Sequence, residues 1–284
     1  MLRITGVAES ELDEISALIE ERSGIRFDRS RERFFSTRIA EYITAKKLEN
    51  GAALMRTVLS SNAEYQLLLQ SLLTHETSFF RYPDVFDAFK THVLPQIQTK
   101  KIRRGLRSLR IWSAGCSTGE EPYSIAIVLA SLPHLQTWDV EILATDISRE
   151  ALQHGVHAAY SKRRLANLST EQIEANFTKV GTHFEVKPNL RKMISFVTMN
   201  LAQSLYVGRM DCIFCMNVLI YFAEQGRNQV IRNLYNSLEP GGYLFLGHSE
   251  TIGTLPVPLE RIVSGDCLMY RKPDNGASNL GNPA

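Results

Sequence analysis

No stretch of these 284 residues is apolar for long enough to cross a bilayer. The longest, such as Ile125–Leu132, falls far short of the roughly 20 residues a spanning helix needs. The opening segment MLRITGVAESELDE is acidic and lacks the apolar centre of a secretory signal. Cysteine is scarce. Four residues exclude a disulfide-stapled scaffold and fit a reducing compartment. Cys212 and Cys215 form a C-x-x-C, but inside a strand-like run, where residues three apart point to opposite faces. Both are expected to be structural, and no metal site is expected. Excess charge is missing too: 32 Lys and Arg against 30 Asp and Glu give a net charge of +2, which argues against nucleic-acid partners. The expectation is a cytoplasmic protein, without membrane insertion and monomeric.

What the chain does have is the run Ser113-Ala-Gly-Cys-Ser-Thr-Gly-Glu-Glu-Pro-Tyr123. It follows a strand-like segment (Leu109, Ile111, Trp112) and opens into a helix-like one (Ile125, Ala126, Val128, Leu129). A small-residue turn at such a junction lets a ligand approach the backbone and the free N–H groups of a helix start. Glu120 and Glu121 suit the helix dipole but repel a phosphate. The ligand's nearest group is therefore expected to be cationic or neutral.

The first eighty residues read as helical. Ser10 with Asp13 suggests an N-cap ahead of Leu12, Ile15, Leu18 and Ile19, and Gly24 a stop. A second helix is expected from about Ser30 to Lys47 and a third from Glu64 to Leu73. Pro83 starts another, bearing Phe86, Phe89 and Val93. The basic run Thr99–Arg107 reads as an exposed linker. Strands then alternate with helices: Leu109–Ser113, Glu141–Thr145, Ile194–Thr198, Asp211–Met216 and Tyr243–Gly247 are strand-like, with Cys267–Arg271 as an antiparallel edge. This alternation predicts an α/β fold with a doubly wound, mostly parallel sheet. A short hairpin about Gly181-Thr182 interrupts it, and an Asn/Gly/Pro-rich tail follows Pro273. The expected divisions are a helical domain at 1–80, a linker helix at 81–98, an α/β domain at 99–272 with a β-insert at about 160–192, and a disordered tail at 273–284.

Open α/β sheets bind ligands beyond the carboxyl ends of their strands. Asp146, ending the second strand, is placed for ribose hydroxyls or for capping the next helix. Asn217 and Tyr221 follow the fourth strand; Asn200 follows the third, as a ligand contact or a turn residue. Thr77 and Arg81 lie in THETSFFR, between the helical and α/β regions, where an Arg can meet a carboxylate bidentately.

The motifs THETSFFR (74–81), SAGCSTGEEPYS (113–124), ATDIS (144–148), NL (200–201), CMNVLIYF (215–222) and GGYLFLGHSE (241–250) resemble those of the CheR-type chemotaxis receptor methyltransferases, in family order and over nearly the whole chain. The resemblance implies S-adenosylmethionine-dependent methyl transfer to glutamate side chains in the cytoplasmic helical domain of methyl-accepting chemotaxis receptors, leaving S-adenosylhomocysteine. It also implies a small helical N-terminal domain and an α/β methyltransferase domain with an antiparallel β-insert. The family's cofactor positions fall on His75, Thr77, Arg81, Glu121, Asp146, Asn200, Leu201, Met216 and Asn217. His75 stands where the family often has Asn, and Met216 where it often has Arg, so residue 216 is expected to offer only its backbone. Arg81 and Tyr221 are expected to align the incoming carboxylate. Glu121 is left to the cofactor's ammonium or to a ribose hydroxyl.

A glutamate carboxylate is already ionised at neutral pH, so attack on a sulfonium methyl needs alignment and dryness but no general base. That suits a chain with no Ser/His/Asp constellation. Residues 22–47 carry eight basic side chains against three acids. Of these, Arg29, Arg31, Arg33 and Arg38, together with Tyr42, form an expected docking face for an acidic receptor helix. The insert's hairpin is short, which predicts no dependence on a receptor C-terminal peptide. Two rival readings differ in class. A receptor-binding adaptor of weak catalysis would have lost the rim residues. A dinucleotide-dependent oxidoreductase would want G-x-G-x-x-G where this chain has A-G-C-S-T-G and two acids.

Overall fold

The computed structural model describes residues 7–27, 31–203, 207–250 and 256–274. These divide into two compact units, one within Met1–His75 and Tyr221–Arg227, the other within Glu76–Ile220 and Asn228–Ala284.

The first unit contains α1 (Glu9–Ser23), α2 (Glu32–Ala45), α3 (Gly51–Ser60) and α4 (Asn62–Leu72). Ile15, Ile19, Ile39, Leu54, Val58 and Leu68 are fully buried and form its centre. Ser10 is not the cap of α1. The helix starts at Glu9, and the Glu11 carboxylate reaches back to the Ala8 N–H (3.0 Å) while also accepting from the Ala52 N–H at the start of α3 (3.0 Å). Those backbone donors hold the Glu11 carboxyl below its ordinary range. The sequence reading missed α3, whose Gly-Ala-Ala start carries little periodicity; its signal is Asn50, which caps the Ala53 N–H at 2.9 Å. Residues 221–227 join this unit through an Ile25–Phe222 bridge and an Arg26 N–H donated to the Tyr221 carbonyl (2.9 Å).

Of the expected docking face, Arg29 lies outside the described residues. Arg33 and Arg38 are exposed, Arg38 pairing with Glu41 at 3.0 Å. Tyr42 does not belong to an open face: it is buried, and its hydroxyl donates to Glu64 (3.1 Å). Arg31 is half-buried, its guanidinium 4.5 Å from the centre of the Tyr221 ring.

The second unit contains α5 (Pro83–Ala88), a π-turn (Phe89–Val93), α6 (Leu94–Arg103), β1 (Ser108–Ala114), α7 (Glu120–Ala130), β2 (Asp139–Asp146), α8 (Arg149–His157), β3 (Ala159–Ser161), α9 (Thr170–Asn176), β4 (Phe177–Val180), β5 (His183–Val186), α10 (Pro188–Arg191), β6 (Ile194–Thr198), β7 (Met210–Cys215), all but the first turn of α11 (Glu224–Ser237), β8 (Leu238–Leu246), β9 (Glu260–Ser264) and β10 (Cys267–Arg271). The main sheet has the order β6-β2-β1-β7-β8-β10-β9. It is parallel from β6 to β8, and β10 runs antiparallel to both neighbours. The α/β, mostly parallel, doubly wound class is therefore present, with its switch point between β1 and β7.

Three expectations are corrected here. The basic run at 99–107 is largely helix: α6 extends to Arg103, and Lys101 pairs with the buried Asp211 carboxylate at 2.8 Å. Its charges mask the helix because the apolar anchors, Leu94 and Ile97, sit in the preceding turns. The segment expected as a linker helix belongs to the α/β core, where Val85, Phe86, Phe89 and Val93 pack with Phe214 and Phe245. And β10 is no edge; β9, unforeseen in the sequence, covers it. At the tail, Asp274 pairs with Arg271 and Lys100, and residues 275–284 lie outside the described residues.

The insert is a separate antiparallel sheet, β3-β5-β4, with a two-residue turn at Gly181-Thr182. Tyr160, Phe177, Val186 and Leu190 attach it to the core, and the Phe79 ring meets Tyr160 and Phe177 edge-on at 5.0 and 5.5 Å.

Candidate active site

The carboxyl ends of β1, β2, β6 and β7 share one rim, since Ala114 pairs with Thr145, Asp146 with Thr198, and Ser113 with Phe214. The turn after β1 is built against β2. The Gly115 and Cys116 N–H groups both donate to the Thr145 carbonyl (2.7 and 2.9 Å), and the Trp112 indole N–H donates to the Thr145 hydroxyl (2.9 Å). Gly115 has φ +83°, and a Cβ there would lie 2.4 Å from Val218, so only glycine lets the turn close on the segment after β7. Gly119 has φ +97°, and a Cβ would lie 2.9 Å from both the Gly155 backbone and the Tyr160 hydroxyl. Cys116 is buried, and burial pushes its thiol well up, so it fills space as a neutral group.

Asp146 accepts from the Ser117 N–H with Oδ2 and from the Ser148 N–H with Oδ1, each at 2.8 Å. Ser148, through its hydroxyl, is the cap of α8 (Ala151 N–H, 3.1 Å). Asp146 instead ties the end of β2 to the turn after β1. Ser113 donates to Glu121 Oε1 at 2.6 Å. Desolvation pushes the half-buried Glu121 carboxyl up to about 8, against the Ser113 hydrogen bond; Glu250 adds to the rise and Arg81 opposes it. Glu250 and Arg81 therefore both lie near enough to act on Glu121 at this rim. Arg81 is exposed, one guanidinium nitrogen donating to the Glu76 carbonyl (2.8 Å).

After β7, Met216 is buried and Asn217 takes φ +61°. The Asn217 N–H donates to Glu250 Oε2 (2.6 Å), its side-chain oxygen accepts from the Tyr82 hydroxyl (2.8 Å), and the Ile220 N–H donates to Glu250 Oε1 (3.2 Å). After β6, the Asn200 side chain accepts from the Ala202 N–H (3.0 Å), forming the turn that places Leu201 in the interior. Thr77 is half-buried, and its carbonyl accepts from Arg164 (3.0 Å).

The α/β unit thus brings Arg81, Glu121, Asp146, Asn200, Leu201, Met216 and Asn217 to its strand ends, with Thr77 in the segment leading to Arg81. His75 and Tyr221 belong to the helical unit. There His75 is half-buried, and the Tyr221 hydroxyl is 2.8 Å from that of Thr74. Sequence reasoning assigned no role to Glu250, Tyr82, Ser113 or Arg164. For Glu250 a signal existed, an acid ending GGYLFLGHSE; Arg164 had none, because its contacts lie more than 40 residues away.

Charge at the rim fits a ligand with a cationic amino-acid end. A carboxyl driven up by burial regains its ionised form beside a cation, and Asp146 offers anionic oxygens where a diphosphate would be repelled. Among the described residues no group of His, Cys, Asp and Glu could hold a metal ion, and no helix is long and apolar enough to cross a membrane.

Residues 75–264 match the family model described as CheR methyltransferase, SAM binding domain. A chemotaxis protein methyltransferase of Borreliella burgdorferi is 32% identical over 253 residues, covering 87% of this chain and 89% of that protein. Chemotaxis protein methyltransferase 2 of Vibrio cholerae is 32% identical over 266 residues, 91% of each chain. Chemotaxis protein methyltransferase 1 of Pseudomonas aeruginosa is 30% identical over 273 residues, covering 93% of this chain and 98% of that one. With a doubly wound sheet whose strand ends gather the motifs and a matched model spanning most of its length, this chain belongs to the CheR methyltransferase family.

Proposed function

We propose that this protein methylates glutamate side chains in the cytoplasmic helical domain of chemotaxis receptors, forming glutamate methyl esters. The observation that carries the reading is the presence of both Glu121 and Arg81 at one rim, an acid for the cofactor's cationic end and an exposed cation for a carboxylate. When bound, S-adenosylmethionine supplies a methyl group activated by its sulfonium. Asp146 and the Ser117 backbone would hold its ribose, Glu121 its ammonium or a ribose hydroxyl, and Asn200, Leu201 and the backbone at Met216 and Asn217 its remaining polar edges. Thr77 and His75 would complete the set.

The chain's own work is to orient and to keep dry. A substrate carboxylate needs no base at neutral pH, so Arg81 serves by neutralising and aligning it, and no residue is asked to take a proton. Tyr221, its ring under Arg31 and its hydroxyl on Thr74, is held in one orientation and would direct a second hydrogen bond to that carboxylate. Arg33 and Arg38 on α2, with Arg31 at its start, supply positive charge toward an acidic receptor helix.

The test is transfer of labelled methyl from S-adenosylmethionine to receptor-bearing membranes, followed by mild alkali. Methyl esters release the label as methanol, and Arg81→Ala is expected to lower the rate at least 100-fold, about 3 kcal/mol. Label that resists alkali, or transfer unaffected by Arg81→Ala, overturns the proposal.

A further inference from the structure

Glu120, beside the cofactor candidate Glu121, is fully buried, and Arg164, in the turn after β3, lies against it. One of its carboxyl oxygens accepts from the Thr118 hydroxyl at 2.6 Å. The other has no hydrogen-bond partner and lies 3.3 Å from the Arg164 guanidinium. The same nitrogen of Arg164 donates to the Thr77 carbonyl (3.0 Å). Around it, the Tyr160 hydroxyl donates to the Thr118 carbonyl (2.8 Å) and the Asn167 amide to the Phe79 carbonyl (3.0 Å). The donors Arg164, Tyr160 and Asn167 all come from β3 and the turns that follow it. All of the acceptors lie in two stretches of the cofactor rim, 77–79 and 118–120. The small sheet is therefore a buttress of the rim.

We propose that Arg164 is a positioning residue for the cofactor, fixing the main chain at Thr77 and the start of α7 through Glu120 at once. The inference rests on the methyltransferase reading and assigns the insert a part in it. Burial raises the Glu120 carboxyl while the Thr118 hydrogen bond, Arg164 and, from α8, His154 oppose the rise; Cys116 and Tyr160, also packed near it, are neutral at physiological pH. Without Arg164 the buried carboxylate has lost its guanidinium, a cost present only where Glu120 would ionise. The loss of melting temperature in Arg164→Met should thus grow from pH 5.5 to pH 8.

Two variants separate positioning from folding. Arg164→Met should weaken binding of S-adenosylhomocysteine about tenfold in calorimetry, the scale of one hydrogen bond with its desolvated partner. It should raise the KM for the methyl donor while leaving kcat within about twofold. Adding Glu120→Gln should restore the melting temperature and its pH dependence, because the unpaired charge is gone, yet leave binding weak, because Thr77 is still untied. Restored affinity in the double variant, or an Arg164→Met protein that binds as the unaltered chain does, overturns the proposal. No binding by the unaltered chain overturns the cofactor reading itself, and the proposal with it.

Discussion

The two sheets of the α/β unit are built on opposite terms. In the main sheet, β7 is buried at every position, and Phe214 stacks on Phe245 at 4.7 Å with Phe86 and Phe89 around it. In the small sheet, β4 buries only its first residue, Phe177, and leaves Thr178, Lys179 and Val180 exposed. The first carries its own core. The second has little of its own and depends on a few side chains that plug into its neighbour. Stability should therefore be global in the one and local in the other, and function should be sensitive to both if each supports the rim proposed for the cofactor.

The hardest break of that contrast is Phe214→Ala, which leaves a cavity among three aromatic rings. It should cost about 3–5 kcal/mol, lowering the denaturation midpoint of the whole α/β unit. Loss confined to a few amides would contradict the picture of a single core. Phe177→Ala should cost about 3 kcal/mol, but locally. Hydrogen exchange should accelerate in β3, β4 and β5 while β1 and β7 stay protected; uniform acceleration would merge the two sheets into one cooperative unit.

A smaller effect sharpens the main sheet's role at the rim. Glu121 has its carboxyl pushed up to about 8 from an ordinary value near 4.5. Between those values the folded state binds a proton that the unfolded chain does not, so this group's contribution to stability falls as pH rises through that window. Glu121→Gln should therefore raise the melting temperature, by more at pH 8 than at pH 5, while weakening S-adenosylhomocysteine binding. In the unaltered protein, binding of the cationic end should release a proton, seen in calorimetry as a heat that varies with the buffer. A gain in stability that is the same at both pH values would remove burial of the charge as its cause. Last, Val180→Thr, on the open end of β4, should shift stability by no more than about 0.5 kcal/mol in chemical denaturation. A larger loss would mean that this edge is covered.

Much of this was written in the chain. Alternating apolar strands and helices dictate a parallel sheet, and five of the strands fall where the sequence puts them; the central three, β1, β7 and β8, are mostly buried and read as short continuous apolar runs. The turn after β1 was equally legible: small residues, then two acids, at a strand-to-helix junction. Helical periodicity failed where charge covered it, in α6, and where alanines diluted it, in α3. Strand β9 failed because an exposed edge needs no apolar signature; its exposed Val263 and polar neighbours could as well have been a loop.

What sequence alone determined, then, was local chemistry and the order of the elements, since propensity and hydrophobic period act over a few residues. It could name Glu121 and Asp146 as candidates. It could not say that Asp146 spends both oxygens on backbone N–H groups, that Glu250 holds Asn217 from 33 residues away, or that Tyr42 turns inward to Glu64. Nor could it tell Glu120 from its neighbour. One acid is sealed under Arg164 and the other opens on the rim, a difference made by residues more than 40 positions distant that only the folded chain brings within 3.3 Å.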